Sequence, residues 1–128
     1  MIRIGVVGYG YWGPNIVRNF HTLNDARVAV VCDKRTDSLT RAKQAFPDIE
    51  VTSDIGRVVM SPDVDAVAVV TPVWTHFELA KAALENGKHV FVEKPFTSTA
   101  EQAEELVELG GKKKVFIVKT PILVSSGN

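Results

Sequence analysis

The chain has 128 residues, 45% hydrophobic and 23% charged, with fifteen basic residues set against fifteen acidic ones. That length is about one domain, and that composition excludes a disordered or fibrous chain. A formal charge of zero leaves no electrostatic footprint for a nucleic-acid backbone or an anionic membrane, and one cysteine with three scattered histidines builds neither an internal disulfide nor a zinc site.

The N-terminus runs straight into an apolar pattern without signal-peptide architecture, and no apolar stretch approaches the ~20 residues of a spanning helix. A cytoplasmic protein with a small-molecule partner, and with no nucleic-acid or membrane partner, is the expectation. Along the chain, short β-branched runs alternate with longer stretches of helical periodicity. Ile2–Val7 is the first predicted strand, and Asn15–Leu23 the first helix, with Pro14 at its start, where a missing N–H costs little. Val28–Cys32 is the second strand, and Thr36–Phe46 the second helix, capped by Thr36 or Asp37 and ended before Pro47. Ile49–Val51 is the third strand, with a short helix after Ser53.

Ala66–Thr71 is the fourth strand, followed by a helix over Thr75–Asn86 that opens on the capping box Thr75-x-x-Glu78 and closes on Asn86-Gly87. His89–Glu93 is the fifth strand. The helix Ser98–Leu109 opens on Ser98-x-x-Glu101, carries Ala103, Leu106 and Val107 as its buried stripe and stops at Gly110-Gly111. Lys112–Lys114 reads as a solvated loop before the sixth strand, Val115–Lys119. Strands apolar on both faces and joined by helices predict a doubly wound, mostly parallel α/β sheet of six strands in the Rossmann order 3-2-1-4-5-6. That sheet uses residues 1–119 and leaves 120–128 as a tail.

The turn after the first strand, Gly8-Tyr9-Gly10-Tyr11-Trp12-Gly13-Pro14-Asn15, has the spacing G-x-G-x-x-G at the entry to a helix. Gly8 permits the tight turn, Gly10 admits a pyrophosphate to the backbone, and Gly13 allows close packing of helix on strand. An anion there meets free N–H groups at the positive end of the helix dipole. Asp33, closing the second strand, suits the hydroxyls of an adenosine ribose and so favours NAD. Lys34 and Arg35 can neutralise a 2′-phosphate, which keeps NADP open, or can belong to a solvated turn. Cys32 reads as a small buried residue.

Ligands of an open α/β sheet bind beyond the carboxyl ends of the strands, where the strand order reverses. The fourth and fifth strands end there in Thr71-Pro72-Val73-Trp74-Thr75-His76 and Glu93-Lys94-Pro95-Phe96. Lys94, at a partly desolvated strand end beside a cationic ring, suits proton exchange with a substrate oxygen; the alternative is a surface lysine ahead of a turn proline. Glu93 either orients Lys94 or faces the sheet interior, and the Lys94–Pro95 bond is a candidate for the cis form. For His76, in the first turn of a helix, a neutral hydrogen-bonding or packing role is favoured over acid catalysis. Trp74 either stacks near the ring or covers the sheet edge, and His21 and His89 read as structural.

The glycine loop, the Thr71-Pro72 turn leading to His76, and above all Glu93-Lys94-Pro95 after His89-Val90-Phe91-Val92 resemble the N-terminal half of the glucose–fructose oxidoreductase / inositol 2-dehydrogenase (Gfo/Idh/MocA) family. The resemblance runs from Met1 to about Val118. It implies a Rossmann domain binding NAD or NADP in a dehydrogenase that exchanges a hydride with a sugar, cyclitol or nucleotide-sugar substrate. By that resemblance Gly8, Gly10 and Gly13, with Tyr11 and Trp12 between them, serve the cofactor pyrophosphate. Asp33, with Lys34 or Arg35, serves the adenosine ribose; Thr71, Pro72, His76 and Glu93 lie on the nicotinamide side; and Lys94 matches the family lysine that hydrogen-bonds the reacting oxygen. The family also implies a C-terminal substrate domain, with a homo-oligomer built on it, which these 128 residues do not supply. The expectation is therefore cofactor binding without turnover by a piece of a longer enzyme. A non-enzymatic nucleotide-binding or redox-sensing module, or an inactive fragment, is the alternative.

Overall fold

The computed structural model describes residues 1–10, 13–22, 24–92 and 96–119. Six strands form one sheet: β1 (Ile2–Val7), β2 (Ala26–Cys32), β3 (Glu50–Thr52), β4 (Ala66–Val69), β5 (His89–Val92) and β6 (Ile117–Lys119). All five pairings are parallel, and the order is β3-β2-β1-β4-β5-β6, as expected for a doubly wound sheet. The order reverses between β1 and β4, the switch point where open α/β sheets bind ligands in the crevice outside the carboxyl ends of their strands.

Among the described residues five helices cover the two faces: α1 (Gly13–His21), α2 (Thr36–Ala45), α3 (Ile55–Val59), α4 (His76–Glu85) and α5 (Ala100–Lys113). Alternation along the central strands sorts the core. Ile4 and Val6 of β1, with Ala66 and Ala68 of β4, pack with Ile16, Val17 and Phe20 of α1 and Ala42 of α2. Val7, Val67 and Val69 point the other way, into Val58 and Val59 of α3, Ala80, Ala83 and Leu84 of α4, and Leu106 of α5. The near-continuous apolar strands are thus explained by a sheet buried on both sides.

Several element ends differ from the sequence expectation, each for a local reason. Thr75 makes no capping box, because Val73–Thr75 forms a short 3-10 turn in which the Thr75 hydroxyl donates to the carbonyl of Pro72 at 2.6 Å. In α5 the cap moves one residue on: Thr99 Oγ1 accepts from the N–H of Gln102 at 3.1 Å, and the Gln102 side chain accepts from the N–H of Ser98. Arg35 occupies the N-cap position of α2, in place of Thr36 or Asp37, and its side chain makes no capping bond to the helix amides.

The glycines Gly110 and Gly111 do not stop α5. The helix runs on through Lys113 and ends on Lys114 in the left-handed region (φ 59°), so the lysine cluster belongs to the last turn, where cations suit the helix dipole, and not to a loop. Its buried stripe is Leu106 and Gly110 with Ala103 alongside, whereas Val107 is exposed. The extra turn also delays β6 from Val115 to Ile117. At Asn86-Gly87 the expected stop holds: Gly87 takes φ +75° and the N–H groups of Gly87 and Lys88 reach the carbonyls of Leu84 and Ala83. Among the described residues no helix is long and apolar enough to cross a membrane.

Candidate cofactor site

The glycine-rich turn leaves β1 at the strand-order reversal. Gly8 sits at φ +103°, and a Cβ there would lie 2.7 Å from the carbonyl oxygen of Val70 and 2.9 Å from the Thr71 methyl. Both constraints demand glycine. The N–H of Gly8 donates to the carbonyl of Cys32 at 2.8 Å, so the turn is held against β2 while it presses on the end of β4. At Gly10 the situation is the opposite: a Cβ would meet nothing within 4 Å among the described residues, and the residue is exposed. In a dinucleotide-binding turn of this spacing, the second glycine is the one at which a Cβ would block a diphosphate. The chain closes through a Gly13 N–H to Gly10 carbonyl bond of 3.1 Å and enters α1 directly.

Gly13 has a different reason to be glycine from the one expected. The obstacle to a Cβ is not the strand but the ring of Tyr9, whose carbons lie 2.7 Å from the position it would occupy. Tyr9 is fully buried, floors the loop, and packs with Ile16, Val17 and Ala42. Burial raises the pKa of its phenol above the ordinary value, and its hydroxyl is enclosed with no hydrogen-bond partner among the described residues. Sequence reasoning missed this residue because it fills a variable position of the glycine pattern; its aromatic size was the only available signal.

Asp33 stands at the mouth of the same crevice. Its Oδ2 accepts from the N–H of Tyr9 at 2.7 Å and its Oδ1 from the N–H of Arg35 at 2.8 Å. The carboxylate therefore ties the glycine loop to the turn leading into α2, and each oxygen keeps lone-pair capacity for a ribose hydroxyl. Lys34 and Arg35 are both exposed, and the Arg35 guanidinium pairs with Asp37 at 3.2 Å. Cys32, immediately before, is 1% exposed, and burial, then the charges of Asp33 and Asp54, push its thiol up to about 11. It is an inert core residue at neutral pH.

Across the crevice, Thr71 and Pro72 turn out of β4, the Thr71 and Thr75 hydroxyls share a short hydrogen bond, and Trp74 stands 73% exposed. His76 is buried, with ring nitrogens facing two main-chain carbonyls, those of Thr71 and Phe96. Tyr11, Trp12, Glu93 and Lys94, which carry four of the site expectations, and Pro95 with the candidate cis bond lie outside the described residues. His21 packs beside Phe46, and His89 accepts from the N–H of Phe116 and stacks on its ring, both away from the crevice.

The amino-end side of the sheet holds a shallow cavity lined by Arg3, Arg57, Glu50 and Asp63, but these charges largely pair among themselves: Arg3 with Asp63 and Asp65, Arg57 with Glu50. No cluster of His, Cys, Asp and Glu suited to a metal exists among the described residues. The carboxyl-end crevice thus combines an open glycine backbone, a helix N-terminus and a ribose-competent carboxylate, a set that fits a dinucleotide.

Comparison with known proteins agrees with that geometry. The model of the oxidoreductase family with NAD-binding Rossmann fold (GFO_IDH_MocA) matches residues 2–120. The uncharacterized oxidoreductase YdgJ of Escherichia coli is 41% identical over 110 residues, covering 82% of this chain and 30% of that protein. The scyllo-inositol 2-dehydrogenase (NADP(+)) IolW of Bacillus subtilis is 33% identical over 121 residues, covering 91% of this chain and 32% of its own length. Among solved structures, an NAD-binding protein from Listeria innocua superposes with a TM-score of 0.87 at 30% identity, covering 92% of this chain and 34% of that one. The 128 residues span about a third of the length of these relatives.

Proposed function

The chain belongs to the oxidoreductase family with NAD-binding Rossmann fold, and from that membership we propose that it is the dinucleotide-binding part of a dehydrogenase acting on a sugar, cyclitol or nucleotide-linked sugar. The observation that carries the reading is the open backbone at Gly10, placed between the positive-φ turn of Gly8 and the start of α1 at the strand-order reversal. In this reading the amides of the loop and of the first turn of α1 hold the diphosphate. Asp33 accepts from the adenosine ribose, and Thr71, Pro72, His76 and Glu93 border the nicotinamide end. A bound nicotinamide supplies the hydride chemistry.

Lys94 is assigned the proton at the reacting substrate oxygen. The cyclitol and nucleotide-sugar parts of the substrate class follow from the names of two relatives, a scyllo-inositol 2-dehydrogenase and a UDP-N-acetylglucosamine 3-dehydrogenase, and stay a proposal for the longer protein. NAD is favoured over NADP because the Asp33 carboxylate repels a 2′-phosphate and Arg35 is already engaged by Asp37. Isothermal titration of the 128-residue chain with NAD+ and NADP+ tests both parts. Binding of NAD+ in preference to NADP+ is expected; binding of neither overturns the dinucleotide reading, and a preference for NADP+ overturns the assignment of Asp33.

A further inference from the structure

His76 begins α4, and its imidazole is 3% exposed, enclosed between two loops at the carboxyl-end rim of the sheet. Nε2 lies 2.8 Å from the carbonyl oxygen of Thr71, just past β4, and Nδ1 lies 3.1 Å from the carbonyl oxygen of Phe96, past β5. Among the described residues both nitrogens face main-chain carbonyls, and a neutral imidazole carries one N–H, so in either tautomer the ring donates to one of the two carbonyls while lying in contact with the other. The far anchor is firm, since the Phe96 side chain is itself buried in the core with Val69, Ala80 and Val92. One enclosed ring therefore spans the separation between the β4–α4 and β5–α5 connections.

We infer that His76 is a positioning residue and not a ligand: it sets the spacing of the two loops that border the nicotinamide end through the carbonyls of Thr71 and Phe96, and has no direct part in gripping the adenosine diphosphate. The inference rests on the dinucleotide reading above. The adenosine end depends on Gly8, Gly10, Gly13 and Asp33, whose hydrogen bonds run among Tyr9, Cys32 and Arg35 on the β1–β2 side. Removing the imidazole also leaves Thr71 its hydroxyl contact with Thr75, and Thr75 its bond to Pro72, so the turn that abuts Gly8 keeps its own restraints. The loss is then one of registry between two loops.

The test is titration calorimetry of wild type, His76→Ala and His76→Gln with NAD+ and with ADP-ribose, which lacks the nicotinamide. NAD+ affinity is expected to fall about ten-fold in His76→Ala, the order expected for a lost ordering hydrogen bond, while ADP-ribose affinity stays within about two-fold. His76→Gln, whose amide can still donate to a carbonyl, should recover part of the loss. An equal fall for both ligands, or no fall, overturns the inference. Wild-type protein saturated with NAD+ supplies a readout that needs no variant to fold. No nuclear Overhauser effect is expected between nicotinamide and His76 ring protons, and its detection makes His76 a ligand and overturns the inference. A wild-type chain that binds neither probe removes the dinucleotide reading and this inference with it, whereas normal wild-type binding with the wrong variant pattern removes the inference alone.

Discussion

The glycines of the first turn carry separable duties, and substitution distinguishes them. Gly10→Ala adds a methyl where nothing among the described residues stands within 4 Å. Stability should stay within about 0.5 kcal/mol of the parent in denaturant unfolding, while dinucleotide affinity falls about ten-fold or more in titration. Gly8→Ala faces both a positive φ and a carbonyl 2.7 Å away, and should cost about 1–3 kcal/mol of stability whether or not ligand is present. Equal stability losses at the two positions would contradict the assignment of the open space to a ligand. At Cys32 the raised pKa, about 11, and near-complete burial make a distinct prediction. Ellman's reagent should fail to label the native chain at pH 8 and should label it once in denaturant. Rapid native labelling would mean that β2 opens at its carboxyl end.

Elements in this fold end where capping chemistry and packing agree, and α5 shows the two levels working together. Its start depends on Thr99, and Thr99→Ala should destabilise the domain by about 1 kcal/mol. Its end rests on Lys114, a non-glycine residue at φ 59° whose N–H, with that of Val115, reaches back to Gly111 and Gly110. Lys114→Gly should therefore stabilise by about 0.5–1 kcal/mol, an opposite sign readable in the same urea titration. The helix passes through two glycines because Gly110 is itself a packing residue: a Cβ there would come within 3.2 Å of Ile117 on β6. Propensity argues for a stop at that point, and contact with the edge strand overrides it.

Across the molecule, the carboxyl-end rim holds the candidate site, and the amino ends of the central strands are locked by charge. Arg3 donates from its backbone N–H and from its guanidinium to Asp65, and these bonds hold the Asp65 carboxyl below the usual carboxylate range. Lys88 is buried beside them, donating to the carbonyls of Ser61 and Val64, and burial lowers its pKa. A carboxyl whose folded pKa is depressed contributes stability that is present above its unfolded value, about 3.9, and is lost as pH falls through the folded value. Thermal melts should therefore show Asp65→Asn less stable than the parent at pH 7, with the gap closing below about pH 4. A gap of the same size at pH 3 would mean that the Asp65 contribution is steric and not ionic.

Strand order, the two-faced core and the location of the crevice were legible from residue types alone, because β-branched runs apolar on both sides have few ways to be buried and parallel crossovers share one hand. The placement of Gly8, Gly10 and Asp33 at the ends of β1 and β2 was legible too, since it is local to a strand end. What the linear order of residues left open depended on neighbours distant along the chain. Gly13 answers to the Tyr9 ring, Asp33 holds the loop it faces, and His76 bridges carbonyls twenty-five residues apart, from Thr71 to Phe96. Helix ends at Thr75 and Gly110 likewise yielded to a turn and to an edge strand. Periodicity reports which face a residue takes, whereas the partner it meets on that face exists only once separate strands have been brought side by side.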